Sequence, residues 1–146
     1  MPKGLAYDNA LLALVFNNTA IPNIGSAGGL QPSSSAGSLY LALHTADPSG
    51  SGNDQTTNEV AYTGYARVGV ARSGAGFTVS TNYVALSALT SFPACTGGSA
   101  TATYFSVGVA SSDASMMLYS GSLTPSLSIS AGVTPQLSTG TMITET

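Results

Sequence analysis

The chain has 146 residues, the length of one ordinary domain, and 6% of them are charged, against about a quarter in an average soluble domain. Three basic residues, Lys3, Arg67 and Arg72, are too few to neutralise a nucleic-acid backbone, and no run of about 18 apolar residues offers a transmembrane span. With net charge −3 and a composition rich in Ser, Thr, Gly and Ala, little repulsion opposes association between copies, so a homo-oligomer is expected.

Met1 to Phe16 mimics a signal peptide, with Lys3 ahead of an apolar stretch. Asp8 and Asn9 interrupt that stretch and Asn17-Asn18 follows it, so it is expected to be mature sequence. The spacing of Leu11, Leu12, Leu14, Val15 and Phe16 predicts a short amphipathic helix, N-capped by Asp8 and stopped at Asn17-Asn18. Its apolar face makes Leu11, Val15 and Phe16 candidate interface residues. Residues 19 to 38, rich in Gly, Ser and Pro, read as a loop or as an arm that orders on contact. The expected division is therefore 1–38, helix and Gly/Ser-rich arm, and 39–146, β-sandwich.

Strand signals follow. Leu39, Leu41 and Leu43 alternate with Tyr40, Ala42 and His44; Tyr65 to Ala71 alternates in the same way. Phe77 with Val79, and Val84 with Leu86 and Leu89, mark two more strands. Tyr104 to Val109 places Phe105, Val107 and Val109 on one face. Met117 to Leu123, Leu127 with Ile129, Val133 to Leu137, and Met142 with Ile143 complete the set. Gly-rich turns separate them. The fold class is all-β, an antiparallel β-sandwich or jelly roll with one short N-terminal helix; an up-and-down barrel is the rival.

Chemistry-bearing patterns are sparse. His44 could be paired with Cys95 or a serine and with Asp47 or Asp54, but no nucleophile elbow accompanies them, so no catalytic residue is assigned and the chain is expected not to be an enzyme. Asp47, Ser49, Ser51 and Gly52 imitate the start of a calcium loop; the twelfth position is Asn58, and Glu59 comes one late. Asp47, Asp54 and Glu59 stay open as a cation site of another kind, although no metal and no cofactor are expected. One Cys and one His cannot form a zinc site. Tyr62 and Tyr65 bracket Thr63-Gly64 beside Arg67; aromatics and Arg are favoured interface anchors, so Tyr62, Tyr65 and Arg67 join the interface candidates.

The stretch Leu39 to Pro48, then Asn58-Glu59-Val60, then Tyr62 to Val68, resembles a family of small tailed-bacteriophage virion proteins. The resemblance extends upstream to Asn9–Leu12, Phe16 and Thr19-Ala20. Downstream it takes in Phe105–Val109 and Leu118–Leu123. Members often carry the label "tail fibre"; a compact β-domain of this size suggests head decoration, or cement. The resemblance implies a non-enzymatic capsid decoration subunit on the capsid exterior, binding across capsomers, with the major capsid protein and copies of itself as partners. The alternatives are a tail fibre or tail-associated adhesion module and a small hydrolase. Neither nucleic acid nor a membrane is an expected partner.

Overall fold

The computed structural model describes residues 1–50 and 54–145. Ser51 and Gly52, two positions of the calcium-like loop, lie outside the described residues. The chain runs α1 (Leu5–Asn17), β1 (Ser38–His44), β2 (Val68–Ala71), β3 (Phe77–Ser80), β4 (Tyr83–Leu86), β5 (Thr90–Ser91), β6 (Ser99–Gly108), β7 (Met117–Ser130), β8 (Gln136–Leu137) and β9 (Met142–Thr144). The strands form a four-stranded sheet in the order β2-β1-β6-β7, a three-stranded sheet β3-β4-β9 and a two-stranded sheet β5-β8. The β1–β6, β6–β7, β3–β4, β4–β9 and β5–β8 pairs are antiparallel. The architecture is the expected one: β-rich, antiparallel, with one short N-terminal helix. The four-stranded sheet keeps two outer strands, β2 and β7, so it is open and sandwich-like and the barrel rival falls.

The chain divides into two compact units, one of Met1–Ser38, Ala71–Ala88 and Thr139–Thr146, the other of Leu39–Val70 and Leu89–Ser138. Residues 71–88 and the C-terminal strand thus group with the N-terminal region.

In the first unit α1 begins one turn earlier than expected. Gly4 is the N-cap, and Asp8, expected there, lies in the first turn, buried and 3.9 Å from Lys3 Nζ. An acid in the first turn still complements the helix dipole. The stop is where the Asn pair placed it: Asn18 adopts φ 53° and its N–H returns to Ala13 O. Leu12 and Phe16 are fully buried, and Phe16 meets Phe77 edge-on at 5.0 Å between ring centres. The segment after the helix folds back on it. Ile21 and Leu30 exchange both backbone hydrogen bonds, and Asn18 exchanges a pair with Ser33. Gly29, at φ +59°, lies so close to the Ile21 carbonyl that a Cβ could not be accommodated. The last-turn carbonyls of α1 have no helical partners of their own. Arg72 supplies donors, reaching Leu14 O and Val15 O, and also Ser33 Oγ.

In the second unit β1 is central and is covered on both faces: Leu41, Ala42, Leu43 and His44 are all buried. Two differences from the expected strands have local causes. β6 ends at Gly108, after a register shift, so Val109 leaves the face of Phe105 and Val107 and is 44% exposed. The Leu127/Ile129 strand is no separate element but the continuation of β7, across a bulge in which Leu123–Ser126 stand opposite Thr103. Pro125 sits in that bulge, where no ladder donor is required.

Candidate functional site

The polar side chains of the second unit converge beneath the loop that joins β1 to β2. Residues 55–57 of this loop lie across one face of β1 and β6, the face of Tyr40, Ala42 and His44 in the first strand and of Ser106 and Gly108 in the second. Gln55 is its anchor. It has no exposed surface; its Nε2 donates to Tyr40 O at 2.9 Å and to Ser106 Oγ at 3.1 Å. Its side chain occupies the place a Cβ on residue 108 would take, so Gly108 is the seat that lets the loop lie flat on the sheet.

His44 and Ser106 form a hydrogen-bonded pair, Nε2 to Oγ at 2.7 Å, and His44 Nδ1 lies 2.8 Å from Thr57 O. A carbonyl can only accept, so Nδ1 carries the proton and Nε2 accepts from the serine hydroxyl. Desolvation holds the imidazole pKa below its ordinary value, consistent with this neutral form. The pair imitates half of a serine-hydrolase triad but differs in two ways. The third partner is a backbone carbonyl instead of a carboxylate, and both side chains are 0% exposed, so no substrate reaches the hydroxyl. Cys95, considered with His44, is buried elsewhere, its Sγ directed at Gly97 O.

Arg67 closes the cluster. Its Nε and one terminal nitrogen fork onto the two Glu59 oxygens at 2.8 and 2.9 Å. The remaining donors reach Ala110 O at 3.2 Å, Asp113 O at 3.0 Å and Ser115 Oγ at 3.1 Å. One side chain thus ties the β1–β2 loop to the β6–β7 loop. Glu59 raises the Arg67 pKa further through this fork. Tyr65 adds a hydroxyl that donates to Glu59 Oε1 at 2.7 Å and accepts from Leu43 N–H at 3.2 Å, and burial pushes its pKa up. Tyr62 donates to Pro93 O at 2.7 Å and packs edge-on against Tyr65. β2 starts at Val68, after the residues that hold Glu59, and not at Tyr65.

The expected site residues are therefore distributed as follows. Phe16, Tyr62 and Arg67 are buried, with Phe16 against Phe77, Tyr62 on Pro93 O and Arg67 on Glu59, while Leu11, Val15 and Tyr65 are half-buried. Asp47, Asp54 and Glu59 do not come together. Asp47 accepts from Ser49 N–H and Oγ, and Asp54 from Thr56 N–H and Oγ; these hydrogen bonds hold both carboxyls below their usual range. Among the described residues no group of three His, Cys, Asp or Glu side chains is placed to hold a metal ion. Gln55, Ser106 and Ser115 were not singled out from the sequence. The signal available for them was Gly108, a glycine inside a strand, which marks a close approach.

The surface of the second unit is uncharged along β7 and carries exposed apolar side chains beside it: Met116 is 61% exposed and Val109 44%. A family model described as "Podophage GP4 fiber I protein gp80" matches residues 6–145. No curated protein matches the chain.

Proposed function

The chain belongs to the podophage GP4 fiber I protein gp80 family, and from that premise we propose that it is a non-enzymatic structural subunit of a bacteriophage fiber. That it is a phage virion structural protein follows from the family itself. Its place in a fiber rests on the fiber named in the family's description and on what the polar residues of the chain do. The observation that carries the non-enzymatic reading is the sealed centre of the second unit: the groups most able to do chemistry, His44, Ser106, Arg67 and Glu59, are consumed in fastening two loops to a sheet. A subunit of this kind acts by protein–protein contact, repeated over many copies, so each contact can be modest.

Capsid decoration, the role suggested by domain size, is the competing place on the virion. Immunogold labelling or a cryo-EM map of whole virions decides between them. Density or label on the fibers is expected. Label spread over the head would replace the fiber reading with the capsid-exterior one, and absence of the chain from purified virions would remove both.

A further inference from the structure

We propose that residues 55–59 are a proton-released clasp: protonation of His44 frees them from the face of β1 and β6 while the sheet beneath stays folded. The argument starts from where each hydrogen goes. The two Gln55 Nε2 hydrogens are spent on Tyr40 O and Ser106 Oγ. The Ser106 hydroxyl donates to His44 Nε2, and His44 Nδ1–H donates to Thr57 O. Gln55 Oε1 faces two donors, Arg67 Nη1 and Ser115 Oγ. Every group in this relay therefore has one allowed direction.

A second proton on the imidazole breaks the relay at a definite atom. Nε2 then donates, and the Ser106 hydroxyl hydrogen must find another acceptor. Among the described residues Ser106 Oγ has hydrogen-bond partners only in His44 and Gln55. Gln55 cannot turn over to accept, because its oxygen would then face Tyr40 O and its amide hydrogens would face Arg67 and Ser115. One buried donor is left unmade, which is costly where both side chains are 0% exposed.

The charge itself finds no free counterion. Glu59, the bridge partner of His44, has both oxygens on Arg67 and one also on Tyr65. Asp54 in the same loop is taken up by Thr56. Tyr104 stands beside His44 in register on β6, and the β6–β7 loop brings Asp113, whose carbonyl holds Arg67. Glu59 favours the imidazolium and Arg67 opposes it, but desolvation outweighs both. The cheapest relief is local. Residues 55–59 belong to no strand, whereas the β1–β6 ladder uses backbone groups alone and none of the relay's protons. Their release uncovers Ala42, His44, Ser106 and the Gly108 seat, turning a sealed face into an accessible one. This device goes beyond the fiber reading and does not depend on it, so the two fail separately.

The test is hydrogen exchange of the full chain between about pH 7.5 and 5, above the range in which unperturbed carboxyls titrate. Each amide's protection is corrected for the intrinsic pH dependence of exchange. The reporters are the amides of Thr45, Thr57 and Glu59, which donate to Asn58 O, Asp54 O and Thr56 O. The closed form holds His44 below its ordinary 6.5 and the open form does not, so opening takes up a proton. Protection of the three amides should thus fall by up to about tenfold per pH unit below 6.5. The amides of β6, β3 and β4 should keep theirs. The chain has one histidine, so its ring nitrogens can be followed by NMR alongside: proton uptake should coincide with the loss at the three amides. His44→Gln should hold their protection constant across the range. An imidazole that takes up its proton while the three amides stay protected overturns the proposal. So does a loss shared by the β6 amides, which would be unfolding of the sheet, or a loss that persists in His44→Gln. The measurements on the unaltered chain decide the matter even if that variant fails to fold.

Discussion

Arg67 is the residue on which the second unit depends most visibly, because its donors are divided between two loops and one carboxylate. Removing it leaves Glu59 paired with Tyr65 alone, in a site whose arginine side chain is 2% exposed. Arg67→Ala should cost about 3 kcal/mol in urea unfolding, the lower end for breaking a buried ion pair. Arg67→Lys should recover only part of that, since an ammonium cannot fork onto both oxygens and reach the carbonyls as well. A loss under about 1 kcal/mol for Arg67→Ala would show that the fork is ornamental. His44 makes a pH prediction with a definite sign. Its folded-state pKa lies below the ordinary 6.5, so between those two values the unfolded chain binds a proton that the native chain refuses. Stability should therefore fall as pH drops below about 6.5, at no more than about 1.4 kcal/mol per unit. Asp47 and Asp54, with lowered pKa values, act in the same direction but only near and below 3.8. His44→Gln should flatten the slope between pH 6.5 and the carboxylate range; an unchanged slope would place the titrating group elsewhere. At this scale the sequence was legible in kind but not in place. Tyr62, Tyr65 and Arg67 stood out as a cluster, yet composition cannot say whether a cluster faces a partner or its own loops.

At the scale of elements, alternation located most strands because one face of each packs inward, as with Leu39, Leu41 and Leu43. It misjudged the opposite face of β1: Ala42 and His44 are just as buried, under a loop whose own sequence has no periodicity. Such cover is non-local and leaves only Gly108 as a trace. The N-terminal helix was legible from spacing, its start was not, since Gly4 has no side chain with which to announce a cap. The arm after it was read as a segment without a core, but the Ile21–Leu30 bridge and Arg72 hold it in its own unit. Phe16→Ala should accordingly cost about 3–5 kcal/mol, measured by chemical unfolding. Deleting residues 2–36 should melt β3, β4 and β9, read as lost amide protection over 77–86 and 142–144. A truncated chain that keeps that protection would mean the helix is dispensable to its unit.

For the whole molecule, low charge is the dominating property. Any association it undergoes should be insensitive to salt: raising ionic strength tenfold should change a measured dissociation constant less than about twofold, because few charges remain to be screened. A steep salt dependence would instead point to the few acids as the contact. Composition made this legible from the start. The three basic side chains have a further consequence, for proteolysis. Trypsin cuts after Lys and Arg, and the chain has three such residues. Arg67 is locked onto Glu59 and two carbonyls, Arg72 clasps the end of α1, and Lys3 holds Glu145 at 2.8 Å. The two internal cleavage sites, after Arg67 and Arg72, are thus closed by bonds that also hold the fold, while Lys3 sits near the exposed start of the chain. Folded protein should survive trypsin with at most the first three residues trimmed, while the unfolded chain should be cut after Arg67 and Arg72. An internal fragment from native protein would show those clasps to be open. A particle component built this way would carry its own resistance to trypsin-like digestion, with a single cysteine and so no internal disulfide to provide it.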